Sequence, residues 1–192
     1  GREKAQQAGE YRELQRRHRN WCLHLVSDAE ADWISSLQLE WIGRIEREQA
    51  NLREGLEFCI SDSPEAGLRI ATALYLFWNS QGLFSEGRRW FDRLLTAQPT
   101  DEPTTERVRA LYADSVMAEI QGDLQTGTAL VEEAYELADQ MTDPEMHALV
   151  AYADGLLALF SGDPSRACSL LESACMSFRD RGDASQISAL HI

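Results

Sequence analysis

Lysine is almost missing from this sequence. Of 18 basic residues in 192, Lys4 is the only lysine and the others are arginines. A phosphate-cradling P-loop ends in Gly-Lys-Ser/Thr, and Lys4 follows Glu3, so these residues hold no such loop. A buried Schiff-base lysine is excluded on the same ground. The four cysteines, Cys22, Cys59, Cys168 and Cys175, form no CxxC pair. Cys168 and Cys175 share a helical face two turns apart, about 10 Å along the axis, too far for a disulfide. His18 and Cys22 also share a face, but no second ligand pair accompanies them. The thiols therefore read as reduced and mostly buried, and no metal or cofactor is expected. No apolar run approaches the ~20 residues that cross a bilayer, and no signal peptide is visible. The expected location is cytoplasmic, with no membrane contact. No nucleophile, base and carboxylate stand in catalytic spacing, so no enzyme activity is expected of this chain.

The sequence does have acid in abundance. It carries 32 acidic residues and a formal charge of −14. Residues 1–60 hold nine bases and eleven acids, and the remaining −12 falls on 61–192. A field of that sign repels phosphate backbones, so direct nucleic-acid contact is not expected. Arg16, Arg17, His18 and Arg19 form the one dense basic patch, which reads as a solvated helix face with Glu10 and Glu13 a turn or two away. Glu132, Glu133, Glu136, Asp139, Asp143 and Glu145 lack calcium-loop spacing and read the same way.

Apolar residues recur at three and four, not at two, so the chain reads as all-α with no sheet. Tyr11, Leu14, His18, Trp21 and Leu25 trace one stripe. Trp33, Leu37, Trp41 and Ile45 trace another, and core packing is expected of the tryptophans. Ser80-Gln81-Gly82, Ile120-Gln121-Gly122 and Phe160-Ser161-Gly162 put a glycine at one phase of a 40-residue repeat. An apolar helix precedes each glycine and a second follows, at Ser85–Ala97, Leu124–Ala138 and Pro164–Arg179. Each glycine suits the left-handed residue that ends a helix. Ser63-Pro64, Asp143-Pro144 and Asp163-Pro164 place a capping oxygen before a first-turn proline. Ser63, Pro103, Asp143 and Asp183 open successive units. Small residues such as Gly87, Gly127, Gly155, Ala158, Ala167 and Ala174 let the paired helices approach. The prediction is antiparallel helix pairs stacked as a tetratricopeptide-like right-handed superhelix, because no single unit can bury its apolar face. Residues 1–62 form a helical connector, 63–182 three repeats, and 183–192 the start of a fourth. With no initiator Met and a last helix barely begun, the segment is expected to be cut from a longer protein. The open apolar face of the fourth unit would then favour a homodimer as an artefact of truncation.

Trp41-Ile42-Gly43-Arg44-Ile45-Glu46-Arg47-Glu48-Gln49-Ala50-Asn51-Leu52-Arg53 resembles a signature that precedes the repeats in LuxR/MalT-type ATP-dependent bacterial transcription regulators, the signal-transduction ATPases with numerous domains. Phe77-Trp78-Asn79-Ser80-Gln81-Gly82 followed by Glu86-Gly87-Arg88-Arg89-Trp90 resembles the same class. The likeness covers roughly residues 10–180. It implies a connector plus the first repeats, between an ATPase and a helix-turn-helix that lie elsewhere in a parent chain. The family's phosphate-binding and DNA-reading residues have no counterpart here.

The resemblance implies a non-catalytic interaction and sensor module that passes the binding of a protein, peptide or small inducer to the ATPase. The alternative is a stand-alone scaffold for a protein partner, unrelated to transcription. Repeat superhelices work through their concave face. In this register that face carries Arg69, Thr72, Leu76, Asn79, Arg109, Tyr112, Val116, Glu119, Tyr152 and Leu156, and it is either open or covered by residues 1–60. Asn51, Arg53, Arg88 and Arg89 are candidates for contact with a neighbouring domain, against the simpler reading of surface ion pairs.

Overall fold

A computed structural model describes residues 2–97 and 103–181, with side chains over 9–97 and 103–179. The proposed fourth unit, with Asp183, lies outside the described residues. Among the described residues there are eight helices and no strand: α1 Arg2–Ala31, α2 Gln38–Asp62, α3 Pro64–Ser80, α4 Phe84–Ala97, α5 Thr105–Ile120, α6 Leu124–Ala138, α7 Pro144–Phe160 and α8 Pro164–Arg181. The second helices of the units begin and end within two residues of their sequence bounds.

The turns form as their residues dictate. Gly82, Gly122 and Gly162 have φ of 67°, 79° and 83°, a region that disfavours any side chain. In each, the residue after the glycine donates its N–H to the carbonyl five residues back, as Leu83 does to Trp78 at 2.8 Å and Asp123 to Ala118 at 2.9 Å. This satisfies carbonyls that the helix end leaves open. Asp123 and Asp163 then serve twice, because their carboxylates also accept from Thr126 N and Arg166 N at 3.3 and 3.0 Å, starting the next helix. Ser63 and Asp143 cap α3 and α7 as expected, accepting from Ala66 N and Glu145 N. The cap of α5 is Thr104, one residue beyond Pro103.

Contacts run α3–α4, α5–α6 and α7–α8 within units and α3–α5, α4–α5, α5–α7 and α6–α7 between them. No described helix touches one more than two places away in the chain, and α4 does not touch α6. Helix α5 is therefore packed on by α3, α4, α6 and α7, and every residue from Val108 to Glu119 is buried except Arg109. Close approach depends on small residues. A Cβ on Gly155 would stand 2.7 Å from Leu171 Cγ, and one on Gly87 2.9 Å from Trp78 Cε3. Gly127 has a different reason, since a Cβ there would meet the Cγ of the buried acid Glu119 at 2.9 Å.

Two sequence stripes need correction. The chain turns at 32–37, so Trp33 and Leu37 lie in the turn and do not share a helix with Trp41 and Ile45. Ser35 Oγ donates to the Asp32 carbonyl at 2.7 Å and accepts from Leu37 N at 3.1 Å, short-range bonds that compete with helix. Leu37 is exposed, while Trp33 is buried and Trp41 donates Nε1–H to Asp32 at 3.3 Å. On α1, Tyr11, Leu14 and Trp21 are exposed. The buried line is Cys22, Leu25, Val26 and Ala29, one step round from the expected stripe. Cys22 and Cys59 are fully buried, and burial pushes both thiols up to about 12. Cys168 is exposed and Cys175 half-buried, so burial holds for two thiols of the four.

The basic patch has a partner the sequence did not suggest. Arg16 and Arg19 bond Asp62 at the end of α2, at 3.1 and 2.8 Å, with Arg12 at 3.6 Å. The hydrogen bond from Arg16 and the charges of all three hold the Asp62 carboxyl below its usual range. That stabilisation is complete above the unfolded pKa near 3.8 and is lost as pH falls below it. Asp62→Asn is expected to cost about 1 kcal/mol at pH 7 in dilute buffer and less at about 1 M salt, because two of the three arginines, Arg12 and Arg16, are solvent-facing. Urea midpoints in the two buffers check this, and equal losses in both would contradict it.

Candidate functional site

One cavity of about 430 Å³ gathers residues from four places: Glu30, Trp33 and Gln38 around the α1–α2 turn, Thr72, Tyr75, Leu76, Asn79 and Ser80 on α3, Arg109, Tyr112 and Ala113 on α5, and Leu149 and Tyr152 on α7. Its volume falls in the range of small-molecule sites. The first helices of all three units contribute, because α3 packs on α5 and α5 on α7. Thr72, Tyr112 and Tyr152 occupy one phase of the 40-residue repeat, so the repeat itself lines up the wall.

Three tyrosines form a continuous row. Tyr75 and Tyr112 meet edge to face with centroids 5.7 Å apart, and Tyr112 and Tyr152 follow at 5.9 Å. Burial raises the Tyr75 and Tyr112 hydroxyls well above the ordinary tyrosine range and raises that of Tyr152 as well, so all three stay neutral phenols. Arg109 is half-buried and pairs with Glu145 at the start of α7.

Of the ten concave-face candidates, Thr72, Leu76, Asn79, Arg109, Tyr112 and Tyr152 line this cavity. Arg69 stands outside it, bonded to Glu106 at 2.8 Å and Glu65 at 3.2 Å. Val116 is buried in the core and Leu156 packs against it. Glu119 turns toward α6, into the space Gly127 leaves. The connector walls one end of the cavity without filling it. The sequence reading missed Trp33, Tyr75 and Leu149. A search for tyrosines on first helices at near-repeat spacing would have found Tyr75.

Three of the four interdomain candidates, Asn51, Arg53 and Arg88, are engaged within the chain. Arg53 grips Glu86 with two bonds of 2.6 and 2.8 Å, tying α2 to α4. Asn51 donates to Glu48 at 2.6 Å. Arg88 binds Asp123 at 2.7 Å and Gln121 at 2.9 Å, and lies 3.6 Å from Asp114. Arg89 is exposed on the rim of a second, more open trough of about 800 Å³ on the other side of α5, where α4 and α6 stand apart. Arg107 is buried there between Glu133 and the Leu95 carbonyl.

Helix α5 also holds two buried acids. Glu119 is 1% exposed and neither carboxylate oxygen has a hydrogen-bond partner. Burial, then the charge of Asp154, pushes its carboxyl up to about 8. Burial pushes Asp114 up to about 7, with Arg88 pulling the other way. Asp154 itself is engaged by Arg166 at 2.7 and 2.8 Å. The acids Glu132 to Glu145 do not converge, and no group of three or more metal-ligating side chains exists among the described residues. No described helix is long and apolar enough to cross a membrane.

No family model matches the chain, and no curated protein or solved structure matches it either.

Proposed function

We propose that this chain is a non-catalytic sensor and interaction module, a segment of a LuxR-type ATP-dependent transcription regulator. Its units wind as a tetratricopeptide-like right-handed superhelix and receive a small inducer or a partner on the inner face. The observation that carries the reading is the aromatic cavity built jointly by the connector turn and the first helix of each unit. An occupant there touches four elements at once. A ligand shifts a conformational equilibrium only through unequal affinity for its states, and a site shared among stacked units supplies that inequality whenever their packing changes. Neighbour-only contacts allow such a change to pass along the stack. ATP hydrolysis and DNA reading belong to other parts of the parent chain. The two signature segments support that assignment.

The reading frame tests it. A P-loop upstream of this segment and a helix-turn-helix downstream, in the same frame, are the expected finding. A start just before Arg2 with a stop soon after Ile192 would overturn the regulator reading and leave a stand-alone scaffold for a protein partner.

A further inference from the structure

We propose that the inner cavity takes a small organic cation, an ammonium bearing an apolar arm. This rests on the reading of the cavity as the receiving site and names the chemistry of its ligand. Four aromatic rings, Trp33, Tyr75, Tyr112 and Tyr152, line the one cavity, and the tyrosines stand in a row with centroids 5.7 and 5.9 Å apart. Ring faces attract a cation through their quadrupole, most strongly where the pair is shielded from water. Trp33 and Tyr112 are 6% exposed and Tyr75 8%, so these rings are largely shielded from bulk water.

Charge selects among ligands. Among the described residues the only base in the lining is Arg109, whose guanidinium pairs with Glu145 while its buried Nε–H has no partner. Glu30 is the acid of the lining. An anion would have to compete with Glu145 for Arg109 while approaching a chain of net charge −14. A cation meets no uncompensated positive group and is drawn in by the long-range field. A neutral apolar molecule gains the burial but neither electrostatic contribution. The apolar arm follows from the remaining lining, where Leu76, Ala113 and Leu149 offer surface that an ammonium alone would leave unfilled.

Titration calorimetry with three probes tests the assignment: choline, its neutral isostere 3,3-dimethylbutan-1-ol, and phenylacetate. Choline is expected to bind about tenfold more tightly than the alcohol, and phenylacetate most weakly. Tyr152→Leu, at a half-buried position, is expected to remove most of the preference for choline over the alcohol, and Tyr152→Phe to keep it. Folding of both variants is verified by thermal unfolding. Equal binding of choline and the alcohol, or tighter binding of phenylacetate, would overturn the cation while leaving the cavity a binding site. Binding of none of the three would overturn the cation and count against the cavity as a small-molecule site. Choline preference that survives Tyr152→Leu unchanged would place the cation elsewhere and overturn the proposal.

Discussion

Gly67→Val is expected to cost more than about 3 kcal/mol, enough to leave the chain largely unfolded at 37 °C if its stability is ordinary for its size. Gly67 lies in the first turns of α3, pressed between α2 and α4. A Cβ there would stand 2.4 Å from Leu94 Cδ2 and 2.8 Å from Cys59 Cβ. Leu94 is fully buried, so its side chain is packed on all sides, and the Cys59 Cβ is fixed to its backbone. Relief therefore requires two helices to part. Gly43→Ala is the control. Its Cβ would meet only Arg47 Nη1 at 3.5 Å, so the gain in helix propensity, up to about 1 kcal/mol, has nothing to offset it. Denaturant midpoints compare the two. A Gly67→Val loss below about 1 kcal/mol would show that α2, α3 and α4 are not in this contact.

The second large effect concerns pH. Glu119 has its carboxyl raised to about 8, against 4.5 when free. Between those values the folded chain holds a proton that the unfolded chain releases. Stability therefore falls as pH rises through this window, by at most about 1.4 kcal/mol per pH unit, and levels off above it. Asp114 acts in the same direction up to about 7. Asp62, Glu57, Glu86 and Asp123 act oppositely, since their arginine partners lower their carboxyls and their contribution is lost only as pH falls through 4.5 and below. Maximal stability is expected near pH 5, with a decline toward pH 8. Glu119→Gln keeps the shape and stays neutral. It is expected to match the parent at pH 5 and exceed it at pH 8 by on the order of 2 kcal/mol. Thermal unfolding of both chains from pH 5 to 8.5 checks this, and parallel curves would refute the burial of an acid at that position.

These two positions mark where sequence reasoning stops. Gly82, Gly122 and Gly162 were legible because a helix end that needs positive φ admits little else, and the demand is local. The caps at Ser63, Asp143 and Asp163 were legible for the same reason. Gly67 was not, because its constraint comes from Cys59 and Leu94, residues 8 and 27 positions away in sequence. Glu119 read as a groove residue because it falls on the polar side of α5 by period. Yet α5 is enclosed on nearly every side, and a period carries no information once both faces are buried. Arg16 and Arg19 read as solvated because Asp62 lies 46 and 43 residues on. Trp33 reached the cavity only because the chain turns at Ser35. Six of the ten groove candidates were found because the repeat fixes their phase. The connector's share was invisible to the repeat.

The central claim is that the tyrosine-lined cavity is the receiving surface of this chain. Fluorine NMR on fluorotyrosine-labelled protein tests it most directly, because the sequence has five tyrosines and three line the cavity. The resonances of Tyr75, Tyr112 and Tyr152 are expected to shift together with any of a panel of organic cations, sugars and carboxylates that binds, while Tyr11, exposed on α1, stays still. A ligand that moves Tyr11 and leaves the other three in place, or a panel from which nothing moves them, would contradict the claim.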